Sequence, residues 1–188
     1  MRFIILLMVI VGYLQADSKE ALLIGNSDYR YITNLQNPKT SIQKLERALK
    51  KLDFHVTTLY NLDAENLSAE VERFRDRLSS NSIGFFYYSG HGCQLNHQSY
   101  LVPTNVDTKK ASKIKYHALG VGELLDMLDS ANNRVNMLFL DACRDVPVGS
   151  KGGTKGLGQI SVTPKGTLVV YATEAGKVAE DSNLIFVF

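Results

Sequence analysis

Short apolar runs of strand length alternate along the chain with segments of helical spacing, and this alternation constrains the fold most. Five runs are apolar or rich in β-branched and aromatic residues, at 21–24, 54–59, 83–88, 135–140 and 167–173. The run at 83–88 is apolar apart from Gly84, as expected of a parallel strand covered on both faces. Strands separated by helices predict a three-layer α/β fold around a doubly wound, mostly parallel sheet.

The segments between these runs carry helix signals. Asn37 and Pro38 supply an N-cap and a first-turn proline. The apolar residues that follow share one helix face: Ile42, Leu45, Leu49 and Leu52. The same spacing recurs over residues 67–78, and a third helix is predicted around 123–128. The lysine-rich segment 109–115 and the Gly- and Lys-rich segment 146–164 have neither period, so both are predicted to be loops.

The N-terminus has the form of a secretory signal peptide. Met1 and Arg2 precede an apolar run at 3–14, and the sequence turns polar after Ala16. A spanning helix needs about 20 apolar residues, which is more than this run provides. We expect cleavage after Ala16, a secreted or periplasmic protein without stable membrane insertion, and one mature domain at 17–188. The alternative is an uncleaved membrane anchor.

Composition excludes several functional classes. The 188 residues carry a net charge of +2, which is too small for a nucleic-acid footprint unless the charge is clustered. Two cysteines are too few for a disulfide scaffold or a thiolate zinc site. The glycine signatures of mononucleotide and dinucleotide binding are absent, and so is the G-x-S-x-G nucleophile elbow.

Two polar motifs remain, and each follows a predicted buried strand. His91 lies in Tyr-Ser-Gly-His-Gly after the third strand, and Cys143 lies in Asp-Ala-Cys-Arg after the fourth. Side chains at the carboxyl ends of neighbouring parallel strands can converge, so these two residues are candidates for a Cys/His dyad. We expect Gly90 and Gly92 to form a turn around His91, with the Gly92 amide pointing into the cleft. An isolated buried Cys or His is otherwise most often structural.

These motifs resemble the caspase and metacaspase superfamily, and most closely its bacterial-type caspase-like domains. The likeness is carried by ALLIGNSDY (21–29), LQNP (35–38), FYYSGHGCQ (86–94), LDACRDVP (140–147) and GTLVVYATEAGKV (166–178). The resemblance implies a cysteine endopeptidase with Cys143 as the nucleophile and His91 as the general acid/base. It also implies that the amides of Gly92 and Cys143 hold the oxyanion, and that no metal or organic cofactor is required.

Asp141 is the candidate specificity residue. It lies two positions before Cys143, so both side chains are expected on one side of the strand. Metacaspases are similar at this position and prefer Arg or Lys before the cut, whereas aspartate-specific caspases carry Gln there. We therefore expect polypeptide cleavage after basic residues, including self-cleavage at Lys151 or Lys155 in the 146–164 loop. Ser41 stands where the family usually has an Asp, so a second pocket acid is expected to be missing.

Two further features leave an alternative open. Cys93 lies two residues after His91 and, in an oxidising compartment, could pair with Cys143 and lock the site. Family members continue beyond the segment matching residues 181–183, whereas this chain stops at 184–188, so we expect the final strand to be missing and the open edge to need a partner or dimer. The alternative function is therefore an inactive or truncated caspase-like binding module. His55, His97 and His117 are expected to be surface or structural residues.

Overall fold

The sheet and its helices account for most of the residues that the structure describes. The computed structural model describes residues 18–143, 153–155, 157 and 163–171, with only the backbone at 143 and 153–155. The strands are β1 (Lys19–Gly25), β2 (His55–Tyr60), β3 (Ile83–Leu95), β4 (Gln98–Leu101), β5 (Leu119–Gly120), β6 (Val135–Cys143), β7 (Gly153–Lys155) and β8 (Thr167–Tyr171). The helices are α1 (Pro38–Lys51), α2 (Ala64–Arg77), α3 (Ala111–His117) and α4 (Val121–Ser130).

Five of these strands form a parallel sheet in the order β2-β1-β3-β6-β8. Alternate residues of β1 and β3 point to opposite faces. One face packs Leu22, Phe86 and Tyr88 against α2 and α4, and the other packs Leu23 and Phe85 against the apolar stripe of α1. The predicted three-layer α/β architecture and its five main strands are therefore confirmed.

Strand β3 belongs to two pairing systems. Its first part pairs in parallel with β1 and β6, up to the pair His91 and Cys143. Its last part pairs antiparallel with β4 on one side, from Gly92 to Leu95, and with β7 on the other, from Cys93 to Leu95. Because β3 continues to Leu95, His91 lies inside a strand, not in the loop that the sequence motif suggested.

Several short elements differ from the sequence prediction. Most of the lysine-rich segment lies in α3, so the prediction of a loop there is wrong. The helix has seven residues and buries only Ile114, so its sequence shows no helical period. Within the predicted 146–164 loop, residues 153–155 form β7, held by its pairing with β3. Asn37 occupies the N-cap position of α1 as predicted and Pro38 begins the helix, but the Asn37 side chain makes no capping hydrogen bond.

Other predictions fall outside the described residues. They concern the signal peptide at 1–16, Lys151, the segments 158–162 and 172–173, and the terminal segment 184–188. No helix in the described part of the chain combines the length and apolar character that crossing a membrane requires.

Candidate active site

His91 and Cys143 lie side by side at the carboxyl end of the parallel sheet. They are directly paired in the register of β3 and β6, where neighbouring strands run about 4.8 Å apart. The two motifs, 52 residues apart in the sequence, thus meet on adjacent strands. The Cys143 side chain is outside the described residues, so this placement concerns its backbone alone.

The imidazole of His91 is fixed by a backbone carbonyl. Its Nε2 lies 2.7 Å from the carbonyl oxygen of Thr33, in the loop between β1 and α1, and the residue is buried. A carbonyl oxygen can only accept a hydrogen bond, so Nε2 carries the proton. In neutral imidazole, Nδ1 is then the basic nitrogen. The Thr33 carbonyl therefore sets which ring nitrogen can exchange a proton.

Two buried tyrosines hold the backbone of His91. The His91 N–H donates to the Tyr29 hydroxyl at 2.8 Å, and the Tyr29 ring packs edge-on against the imidazole at 4.6 Å between centroids. The Tyr88 hydroxyl donates to the Val102 carbonyl oxygen at 2.9 Å. It also lies 3.1 Å from the His91 carbonyl oxygen. Since that proton is engaged, Tyr29 donates to the Tyr88 oxygen across 3.4 Å. Burial raises the pKa of Tyr88 well above its ordinary value, so its hydroxyl stays protonated.

The glycines beside His91 serve close packing and not a turn. Neither Gly90 nor Gly92 has a positive φ angle, so the predicted turn is wrong. A Cβ at Gly90 would lie 2.6 Å from both tyrosine hydroxyls, and one at Gly92 would lie 2.8 Å from the Ala142 Cβ. Side chains at these positions would push His91 away from its neighbours.

The Gly92 amide is directed towards β6 and β7. The Val102 N–H donates to the His91 carbonyl, so the polar backbone groups of His91 point towards β4. Hydrogen-bonded and non-bonded pairs alternate along an antiparallel ladder, so the next pair, Gly92 and Leu101, is non-bonded. The N–H of Gly92 therefore points to the side of β3 on which Cys143 lies.

Asp141 lies in a cluster of polar side chains on the α1 face of the sheet. Its carboxylate accepts from the Tyr87 hydroxyl at 3.1 Å and lies 3.4 Å from the Ser89 hydroxyl. Burial raises the pKa of Tyr87, and the Asp141 charge raises it further, whereas hydrogen bonds from Ser89 and Ser41 lower it. Ser41, which stands where the family usually has an acid, therefore belongs to the same cluster.

Cys93 is a free, fully buried thiol. It packs among apolar residues that include Tyr100 and Val102, and burial raises its pKa to about 12. Disulfide exchange requires a thiolate, which is scarce at such a pKa. This environment is that of a core residue and argues against a lock between Cys93 and Cys143.

The three other histidines are not brought into the site, and Lys155 is described by its backbone alone. Lys155 contributes its backbone to β7, opposite Cys93, and its side chain is not described. His55, His97 and His117 are exposed, and the His55 ring bonds to Glu20 at the other end of the sheet. Among the described residues, no three His, Cys, Asp or Glu side chains are grouped as a metal ion would need.

Sequence reasoning did not identify Tyr29, Thr33, Tyr87, Tyr88 or Ser89 as site residues. Tyr87 and Tyr88 were expected to be sheet core, and they are buried, but their hydroxyls also bond to groups of the site. Tyr29 lies within the ALLIGNSDY stretch, which was the one available signal. Thr33 acts through its carbonyl oxygen, for which a side-chain motif gives no signal.

Comparisons with known proteins relate the chain to one family and to two curated proteins. The family model Peptidase_C14, described as a caspase domain, matches residues 18–184. Mucosa-associated lymphoid tissue lymphoma translocation protein 1 of Homo sapiens is 32% identical over 129 residues, which are 69% of this chain and 15% of that protein. Its homolog from Mus musculus is 31% identical, with the same shares. The chain thus matches only a small part of the length of these curated relatives.

Proposed function

The chain belongs to the caspase-domain peptidase family, and from that premise we propose that it is a cysteine endopeptidase with a dyad of Cys143 and His91. One observation supports the proposal most. The family's two catalytic motifs meet at paired positions of adjacent strands, and the His91 ring is held by the Thr33 carbonyl in the form that leaves Nδ1 basic.

The proposed reaction follows from this arrangement. His91 Nδ1 takes the thiol proton of Cys143, and the thiolate sulfur attacks the carbonyl carbon of the substrate. The amides of Gly92 and Cys143 hold the developing oxyanion. The carbon–nitrogen bond then breaks as the imidazolium gives its proton to the leaving amine. Water hydrolyses the thioester, which releases the acid and restores the thiol.

We propose that the enzyme cleaves after Arg or Lys. The carboxylate of Asp141 lies on β6 two residues before the nucleophile, and its partners Tyr87 and Ser89 hold it by hydrogen bonds. A guanidinium or ammonium group can pair with such a carboxylate. Because Ser41 supplies a hydroxyl and not a second carboxylate, the pocket charge comes from Asp141.

Self-processing and export belong to the same proposal. Lys151 and Lys155 lie between β6 and β8 and match the proposed preference for basic residues. Residues 1–16 are proposed to be a signal peptide that directs the protein to the secreted or periplasmic compartment. Self-cleavage and removal of the signal peptide can both be tested by sequencing the N-termini of the purified protein and its fragments.

The decisive experiment compares fluorogenic peptides that end in Arg, Lys or Asp under reducing conditions. We expect wild type to cleave the Arg and Lys peptides, and Cys143→Ala and His91→Ala to lose this activity. Cys93→Ala is the matched control and should retain it, because that thiol lies in the core. Asp141→Asn should reduce turnover of the basic peptides about 10- to 100-fold, since a charge-assisted contact is lost. Equal background from wild type and Cys143→Ala would instead favour a non-catalytic binding module.

A further inference from the structure

A polar cavity of about 460 Å³ lies beside His91, on the side of β3 opposite to Cys143. It is lined by the loops that follow β1, β2 and β4. Tyr29 forms part of its wall, and the same tyrosine packs against the imidazole and accepts the His91 N–H. Tyr29 therefore borders both the cavity and His91.

The direction of the substrate follows from the positions of the two catalytic groups. The carbonyl under attack lies at Cys143 on β6, and the leaving amine receives its proton from His91 on β3. A peptide that runs from Cys143 past His91 continues over β1 and β2, because these strands lie beyond β3 in the sheet order. The residues after the scissile bond are thus directed towards the cavity. At about 3.3 Å per residue, the second or third of them reaches past Tyr29.

The lining of the cavity favours a positively charged side chain. Its lining residues include two acidic residues, Asp28 and Asp63, and one basic residue, Arg30. The Asn61 amide donates to the Asp28 carboxylate at 2.7 Å, and its oxygen accepts from the Asp28 backbone N–H at 3.1 Å. Asp63 is held as the N-cap of α2, accepting from the Asn66 N–H at 2.9 Å. Both carboxylates are therefore fixed in place before any ligand arrives.

We propose that this cavity is a subsite for a Lys or Arg side chain two or three residues after the scissile bond. This inference rests on the proposed peptidase function. It adds a second basic recognition element to the substrate, on the opposite side of the cut from Asp141. The preferred substrate then carries a basic residue before the bond and another shortly after it.

The test uses two internally quenched peptides that share an Arg before the cut and differ in Lys or Glu at the second and third positions after it. We expect wild type to prefer the Lys peptide by about tenfold in kcat/KM at low salt, and this preference to shrink as ionic strength rises. The double variant Asp28→Asn with Asp63→Asn should lose most of the preference. Both replacements keep hydrogen-bonding groups, and Asn remains a good N-cap.

Glu72→Gln is the matched control, because it removes an exposed carboxylate about 13 Å further along α2 and should keep the preference. The ratio is normalised to cleavage of an Arg peptide with a fluorogenic amine and no residues after the cut. If that peptide is cleaved but wild type shows no salt-sensitive preference for Lys, the subsite is refuted and the peptidase stands. If no substrate is cleaved, the peptidase proposal fails. Fluorescence anisotropy of the labelled peptides on Cys143→Ala then decides the subsite, which equal binding of the Lys and Glu peptides would refute.

Discussion

Gly90→Ala should damage both stability and activity, although it adds only one methyl group. The new Cβ would lie 2.6 Å from the hydroxyls of Tyr29 and Tyr88, well inside van der Waals contact. Neither hydroxyl can move freely, because Tyr29 accepts the His91 N–H and Tyr88 donates to the Val102 carbonyl in a fully buried setting. Overpacking costs about 1–3 kcal/mol and each strained hydrogen bond about 1 kcal/mol, so we expect a loss of about 2–4 kcal/mol in the free energy of unfolding.

The same substitution should reduce kcat/KM about 100-fold, the effect of moving a catalytic group by about 1 Å. Urea denaturation gives the stability, and a fluorogenic Arg peptide gives the activity. Gly122→Ala in α4 is the control, because a Cβ there would meet no described atom within 4 Å. It should stabilise the protein by about 0.5–1 kcal/mol, as expected for Ala in place of Gly in a helix.

A double-mutant cycle separates this clash from a general loss of packing. Tyr29→Phe alone removes the acceptor of the buried His91 N–H and should cost about 1–3 kcal/mol. In the Gly90→Ala background it also removes one of the two overlapping oxygens. The loss of stability in the double variant should therefore be smaller than the sum of the two single losses by about 1 kcal/mol or more. Additive losses, or a Gly90→Ala variant with wild-type stability and activity, would refute the proposed packing around His91.

The contrast between the two cysteines gives two further predictions. Iodoacetamide at neutral pH should modify one thiol per native wild-type molecule and none in Cys143→Ala, because Cys93 is buried with a pKa of about 12. Intact mass measures the number of modified thiols, and rapid modification of both cysteines would contradict this prediction. The folded-state pKa of Cys93 lies above its ordinary value of 9.0, so its contribution to stability is complete below about pH 9 and is lost as the pH rises to about 12. Over that pH range the free energy of unfolding should fall more steeply for wild type than for Cys93→Ala, by up to about 1.4 kcal/mol per pH unit. If the urea midpoints of the two proteins instead change equally with pH, this prediction is wrong.

The sequence predicted those parts of the fold that depend on periodic burial. Helices α1 and α2 and strands β1, β3 and β6 each bury apolar residues in a pattern that can be recognised from the local sequence. Strands β4, β5 and β7 have two to four residues each and exist because a neighbouring strand pairs with them. The extension of β3 past Tyr88 depends on pairing with β6 up to His91 and with β4 and β7 beyond it, so the segment around His91 could not be recognised as strand from its own residues.

The candidate site could be predicted from the sequence only where it depends on side chains with distinctive chemistry. His91, Asp141 and Cys143 follow predicted apolar strands in the sequence; in the structure they lie within β3 and β6, whose register brings their positions together. The tyrosine hydroxyls could not be predicted, because an aromatic residue in an apolar strand has the same pattern whether or not its hydroxyl has a special partner. Only the three-dimensional path of the β1–α1 loop brings Tyr29 to His91.

The bond from His91 to Thr33 also affects how the site tolerates sequence change. Since the acceptor belongs to the main chain, replacing the Thr33 side chain leaves that acceptor chemically intact. An alanine scan would therefore pass over one of the groups that hold the imidazole. What must be preserved is the course of the loop, which is fastened where the Asn34 side chain accepts the Tyr29 N–H at 2.7 Å. Substitutions of Asn34 and Tyr29 should therefore be tolerated less well than substitutions of Thr33.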